Sequence, residues 1–250
     1  MSSLSFAAAS SQYCNYAGAV VATLPVTMAC WCTSKSQAGT RTFLSLNTAG
    51  SNNHRLNLGT SGTTNNPFIS SRDGAGAQSA FAASNMGDRT WHHVGGVFAS
   101  TTSRTCYLDG VAGTTSTASN TPSGWDQTSS GRLNSVTTNY LEGEMYWGAM
   151  WDVALDAGEM YALAKGAYPP SIRPSSLKGF WRFDGNGSGV VLELRNRFEM
   201  TKVNSPAKVE TSPAVFGKRK PRIYSVTDMA AFQRMIGDRF ALAGSGGLVA

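Results

Sequence analysis

The chain has 250 residues, 14% of them charged and 41% apolar, with 27 glycines and a formal net charge of +6. That length can bury one large core, so sparse a charge excludes disorder of the acidic or basic kind, and no apolar run approaches the roughly 20 residues a spanning helix needs. The charge is uneven, with eight basic against nine acidic residues over 1–169 and thirteen against six over 170–250, so a near-neutral body precedes a basic tail. Abundant Gly, Ser, Thr and Asn predict short strands joined by tight turns.

In chain order, Met1–Gln12 is small and polar and is expected to be an arm or a poorly ordered start. Tyr13–Tyr16 and Pro25–Thr33 predict the first strands; in the second, Val26, Met28, Cys30 and Cys32 share one face and Thr27, Ala29, Trp31 and Thr33 the other. Arg41–Leu46, His54–Leu58, Pro67–Ser71 and Gln78–Ala83 follow as short strands between turn-rich segments. Thr90–Gly110 (TWHHVGGVFASTTSRTCYLDG) predicts an antiparallel hairpin. His93, Gly95 and Val97 lie on one side of its first strand and Val94, Gly96 and Phe98 on the other; Ser100–Ser103 is the turn and Asp109-Gly110 closes the return strand. Val111–Ser119 is a possible further strand, Asn120–Gly131 a loop, and Arg132–Val136 and Glu144–Trp151 are strands. A helix is predicted over Leu155–Lys165, capped by Asp156 with Glu159 three residues on and closed by Gly166. Beyond the stiff Tyr168–Pro174 connector, Leu177–Gly185 predicts a strand with Phe180 on one face and Trp181 and Phe183 on the other, returning to an edge of the body. Val203–Pro221 reads as an extended arm, and Asp228–Ala243 as an amphipathic helix bearing Met229, Phe232, Ile236 and Phe240.

The Trp-His-His-Val strand, short polar turn and aromatic-Leu-Asp-Gly return strand resemble the central hairpin of the laminin-G-like, concanavalin A-like jelly rolls. The resemblance covers Tyr13 to about Tyr168 and implies an all-β, two-sheet antiparallel sandwich with one short helix and a C-terminal arm. The Val26–Cys32 pattern is similar to an early strand of that family in which apolar and Trp side chains fill the sandwich core. Three segments are expected: a jelly roll over 1–169, a connector with a returning strand over 170–216, and a basic arm with a terminal helix over 217–250.

Candidate chemistry is thin. Glycosidases need two carboxyl groups some 5–10 Å apart, and only Glu142 and Glu144 lie close on a predicted strand; the third acid of the Glu-x-Asp-x-x-Glu signature is missing, so no enzyme is expected. His92 and His93 point to opposite faces and cannot serve one site. Asp73, Asp88 and Asp109 lie in turns, where relatives of the fold hold calcium, which makes calcium the one cofactor considered; otherwise none is expected. Trp125 and Tyr140 are the candidate sugar-stacking rings. Cys14, Cys30, Cys32 and Cys106 read as reduced, buried thiols, Cys30 and Cys32 sharing a face and being badly placed to bond each other, and no signal peptide is expected. A turn-rich jelly roll with a basic arm resembles laminin-G-like proteins encoded among tailed-phage virion genes. That implies a virion structural protein, made in the host cytoplasm, that contacts other virion proteins and self-associates. Lys218, Arg219, Lys220, Arg222, Phe232, Ile236 and Phe240 would dock on a neighbour; surface glycans are further partners, while a membrane and nucleic acid are not expected. The alternative is a carbohydrate-binding module or receptor-binding lectin domain.

Overall fold

Alternation of apolar and polar side chains along short strands lets one chain build two sheets that bury their facing surfaces. A computed structural model describes residues 2–35, 38–133, 139–184, 190–191, 193–194 and 198–216. In chain order the strands are β1 (Ser3–Phe6), β2 (Tyr13–Tyr16), β3 (Val26–Cys32), β4 (Thr40–Asn47), β5 (Arg55–Ser61), β6 (Asn66–Asp73), β7 (Gly76–Phe81) and β8 (His92–Ser100). There follow β9 (Ser103–Leu108), β10 (Val111–Ala112), β11 (Gln127–Ser130), β12 (Gly143–Trp151), helix α1 (Ala157–Ala164), β13 (Leu177–Arg182), β14 (Val190–Val191), β15 (Met200–Val203) and β16 (Ala207–Val209). One sheet runs β10-β9-β8-β3-β12-β1-β16, with β13 beside β12 beyond the end of β1; the other runs β14-β15-β2-β11-β4-β5-β6-β7. Every pairing among them is antiparallel.

The predicted faces explain where the core sits. Val26, Met28, Cys30 and Cys32 of β3 and Val94 and Phe98 of β8 meet Leu44, Leu46, Leu56, Leu58 and Ile69 of the other sheet in the main core. The opposite faces of β3, β8 and β12 form a second apolar layer, Trp31, Val97, Trp147 and Trp151, covered by Met160 and Leu163 of α1. Trp31 therefore lies outside the sandwich core in which the family pattern was expected to place it. Gly95 leaves room beneath the helix: a Cβ there would stand 1.9 Å from Met160 Cε, so the tip of that methionine would have to shift. All four cysteines are buried free thiols, with Cys30 Sγ 3.7 Å from Cys32 Sγ. Burial pushes the thiol pKa of Cys14, Cys32 and Cys106 up, which keeps them protonated.

Several expectations change. Ser3–Phe6 is not a loose start but a strand between β12 and β16, with Leu4 and Phe6 buried; two apolar residues in four are too short a pattern to stand out. The predicted loop Asn120–Gly131 contains β11, whose sequence QTSS carries no apolar residue and so no periodicity. Its inward Thr128 is satisfied by Gly18 O (2.8 Å) and Val20 N (3.2 Å). Arg132 and Leu133 are not in a strand, and residues 134–138 lie outside the described set. Val111–Ser119 is strand only at Val111–Ala112, followed by a single bridge from Ser116 to Arg104.

Residues 170–216 contribute to both sheets: β13 pairs with β12, β15 with β2 and β16 with β1. Phe180 joins the outer layer while Trp181 and Phe183 enter the main core. Residues 1–216 form one compact unit. The arm from 217 and the predicted helix 228–243 lie outside the described residues.

At α1, Asp156 accepts from Glu159 N and the Glu159 carboxylate accepts from Asp156 N, both at 2.9 Å. Asp156→Ala is expected to lower stability by about 1 kcal/mol, read as a lower urea midpoint with an unchanged slope.

Candidate functional site

The outward face of the sheet remote from α1 carries an ordered set of polar side chains. Because β-strand neighbours alternate, the residues opposite Leu44, Leu46, Leu56, Leu58 and Ile69 must face away from the core. The register aligns Asn15, Ser129, Ser45, Asn57, Ser70 and Ser79 as one row across six strands. A second row, Arg55, Arg72 and Ala77, lies on one side of it, and Gly59, Phe68 and Phe81 form a third on the other. Strand geometry sets these rows roughly 7 Å apart.

Although they face outward, Ser45, Ser129, Asn57 and Ser70 are buried. The stretch at Arg132–Leu133 and Asn139 forms a wall beside them: Arg132 O is 3.2 Å from Ser45 Oγ, and Asn139 O accepts from Thr42 N at 3.2 Å. The result is a cleft of about 230 Å³ lined by Arg55, Asn57, Phe68, Ser70, Phe81 and Leu133, among others. Phe68 is buried while Phe81 is 44% exposed, and their rings stand 5.9 Å apart at 37°. Asn57 Oδ1 is buried without a hydrogen-bond partner among the described residues. Burial first, and the neighbouring Arg72 second, lower Arg55 to about 10. At the rim, the Arg132 guanidinium stands 4.0 Å over the Tyr13 ring and 5.7 Å from that of Tyr140, with Nη1 donating to Tyr140 Oη at 3.3 Å.

The residues picked from sequence fall mostly elsewhere. Trp125 is buried in the main core, its indole N–H donating to Val21 O, so its ring face is not open to a sugar. Tyr140 is half-buried at the rim. Asp73 closes its own turn: backbone N–H groups of Thr121 (2.9 Å), Ala75 (3.0 Å) and Gly76 (3.2 Å) donate to it, and hold its carboxyl below the usual range. Asp109 accepts from His93 N at 2.9 Å and pairs with His92 Nδ1 at 2.7 Å; burial pushes its pKa up, but these bonds outweigh that and lower it. Asp88 is exposed on a separate loop. The three carboxylates do not gather, and among the described residues no group of three His, Cys, Asp or Glu side chains is placed to hold a metal ion. His93 lies on the other side of β8 from His92, buried between Trp31 and Trp147 at ring separations of 5.9 and 5.8 Å. Glu142 accepts from Ala8 N at 2.8 Å and Glu144 from Ser3 Oγ at 3.0 Å and Thr211, so both carboxylates tie down terminal segments. Lys218, Arg219, Lys220, Arg222, Phe232, Ile236 and Phe240 lie outside the described residues.

Two stacked antiparallel sheets with a helix over one outer face and a polar cleft on the other define the jelly-roll class of sandwiches. The chain belongs to the concanavalin A-like lectin/glucanases superfamily, whose laminin G-like family matches residues 8–160. Among solved structures it is similar to a candidate carbohydrate-binding protein from Bacteroides ovatus, at 16% identity and a TM-score of 0.63, over 86% of this chain and 61% of that one. It thus spans about three fifths of that protein's length. It is also similar to the carbohydrate-binding module CBM40 of the Ruminococcus gnavus IT-sialidase, solved bound to α2,3-sialyllactose, at 12% identity and a TM-score of 0.50, over 58% of this chain and 84% of that one. At these identities the likeness is one of fold. A comparison with curated protein sequences finds no match.

Proposed function

We propose that the chain is a non-catalytic carbohydrate-binding protein whose site is the cleft on β4–β7. The observation that carries this reading is the Asn/Ser row buried on an outward face and bordered by Phe68 and Phe81. Amides and hydroxyls both donate and accept, as sugar hydroxyls do, and a half-exposed phenyl ring offers a surface for the C–H face of a pyranose. The carbohydrate-binding relatives of the fold support the reading. The carboxylates Glu142 and Glu144, occupied at the terminal segments, offer the cleft no acid–base pair.

Phe81 is exposed enough to be removed without opening the core. Phe81→Ala is expected to melt at the wild-type temperature and to weaken glycan binding about tenfold, the scale of a lost stacking contact of order 1 kcal/mol. An array that stays blank with the intact protein sinks the reading. The virion setting, self-association and arm docking rest on the resemblance to phage virion proteins and on the basic, apolar-striped sequence of 217–250; deleting Gly217–Ala250 and following sedimentation tests the arm, since unchanged assembly would remove its role.

A further inference from the structure

The second row of this outward face, which lines the cleft at Arg55 and Ala77 with Arg72 between them, contains an arrangement that neutral sugars do not explain. Arg55 and Arg72 are directly opposed across β5 and β6 and point to the same outward face. Like charges placed opposite one another in a sheet repel, and such pairs are ordinarily relieved by a carboxylate. Neither arginine forms an ion pair among the described residues, and the Nε atoms of both are buried without a hydrogen-bond partner. Among the described residues Arg55 Nη1 makes one long contact, 3.4 Å to Asn52 O. Ala77, the third residue of the row, is small and exposed and leaves the space beside Arg72 open.

We propose that the cleft selects an acidic oligosaccharide, its anionic group held by the Arg55–Arg72 pair while the sugar ring lies along the Asn/Ser row toward Phe68 and Phe81. This rests on the carbohydrate reading above and names the ligand class for the same site. The chemistry is complementary at each row. Two guanidinium groups present planar N–H forks that match a carboxylate or sulfate, and charge-assisted bonds of this kind are about twice as strong as neutral ones. The unpaired Asn57 Oδ1 accepts a sugar hydroxyl, and the phenyl pair takes the apolar edge of the ring. The lowered pKa of Arg55, caused by burial and then by Arg72, agrees with a cation held short of its counter-charge.

The test is calorimetric titration of the full chain at low ionic strength with 3′-sialyllactose, 3′-sulfated lactose and trigalacturonate, each beside its neutral counterpart, lactose or galactotriose. At least one acidic sugar is expected to bind ten or more times tighter than its neutral counterpart, with the preference shrinking as salt rises. Arg55→Gln and Arg72→Gln are each expected to erase that preference, and Arg72→Gln to melt no lower than wild type without ligand, because it removes a repulsion. Should Arg72→Gln fail to fold, Arg72→Lys, which keeps the charge but loses the fork, is expected to reduce the preference severalfold. The sialyl and uronate arms report a carboxylate; the sulfated arm reports a sulfate. Equal binding of acidic and neutral sugars, or a preference that survives both substitutions, overturns the inference and leaves carbohydrate binding standing. Silence from every sugar in the titration overturns it too, and joined to a blank array it removes both.

Discussion

Trp181→Ala is expected to destabilise the fold by about 3–5 kcal/mol, the range for removing a large aromatic from a core. The side chain is fully buried in the main core, and its indole N–H donates to Phe198 O at 2.7 Å. Its ring packs over Gly179, where a Cβ would come within 2.4 Å of it. Few neighbours can move into the void, because β13 is held on one side by β12 and on the other by the Glu193 bridge to Trp181. Against a total stability of order 5–15 kcal/mol this is a large share. The measurement is a urea melt, with a lower midpoint at an unchanged slope. A loss under about 0.5 kcal/mol, as for an ordinary surface change, would mean that the chain beyond 169 is an accessory to the sandwich rather than part of it.

Acidification should destabilise the protein well above the carboxylate range, because of His93. Burial drops its pKa from 6.5 to about 4, against a smaller opposing pull from Asp109. Among the described residues neither ring nitrogen has a hydrogen-bond partner. The folded state therefore keeps the imidazole neutral while the unfolded chain protonates it near pH 6.5. Between those values the unfolded state binds more protons, so stability is full above about pH 6.5 and falls as pH drops toward 4. The loss between pH 7 and pH 4 is about 3 kcal/mol. His93→Phe, similar in size and set between the same two tryptophans, is expected to flatten the slope over this window. An unchanged slope in that variant would assign the acid sensitivity to another group.

Legibility followed the strength of local pattern. The central hairpin was readable because Val94 and Phe98 alternate with His93, Gly95 and Val97, and because Asp109-Gly110 supplies two residues at positive φ, +51° and +83°. Helix α1 was readable from its cap. Strands β1 and β11 were not: one is too short and the other wholly polar, and both become strands because β12 and β16, or β2 and β4, take up their backbone hydrogen bonds. Trp125 sits in Asn120–Gly131, a stretch whose Pro122 and Gly124 read as a surface loop, yet long-range packing draws its ring into the core.

The cleft shows the same division more sharply. Arg55, Asn57, Phe68, Ser70 and Phe81 fall in strands the sequence predicts, while Arg72 lies just past the predicted end of one at Ser71 and is strand only in the structure; nothing local tells which outward positions will share a row. Strand alternation, turn chemistry and the helix cap act over two to four residues, and to that reach the amino-acid sequence determined the all-β class, the central hairpin, α1 and which side chains share a face in the strands whose apolar residues alternate. The pairing register acts between strands far apart in the chain, and it alone set two arginines opposite each other, lined up six Asn and Ser residues, and brought residues 170–216 into both sheets.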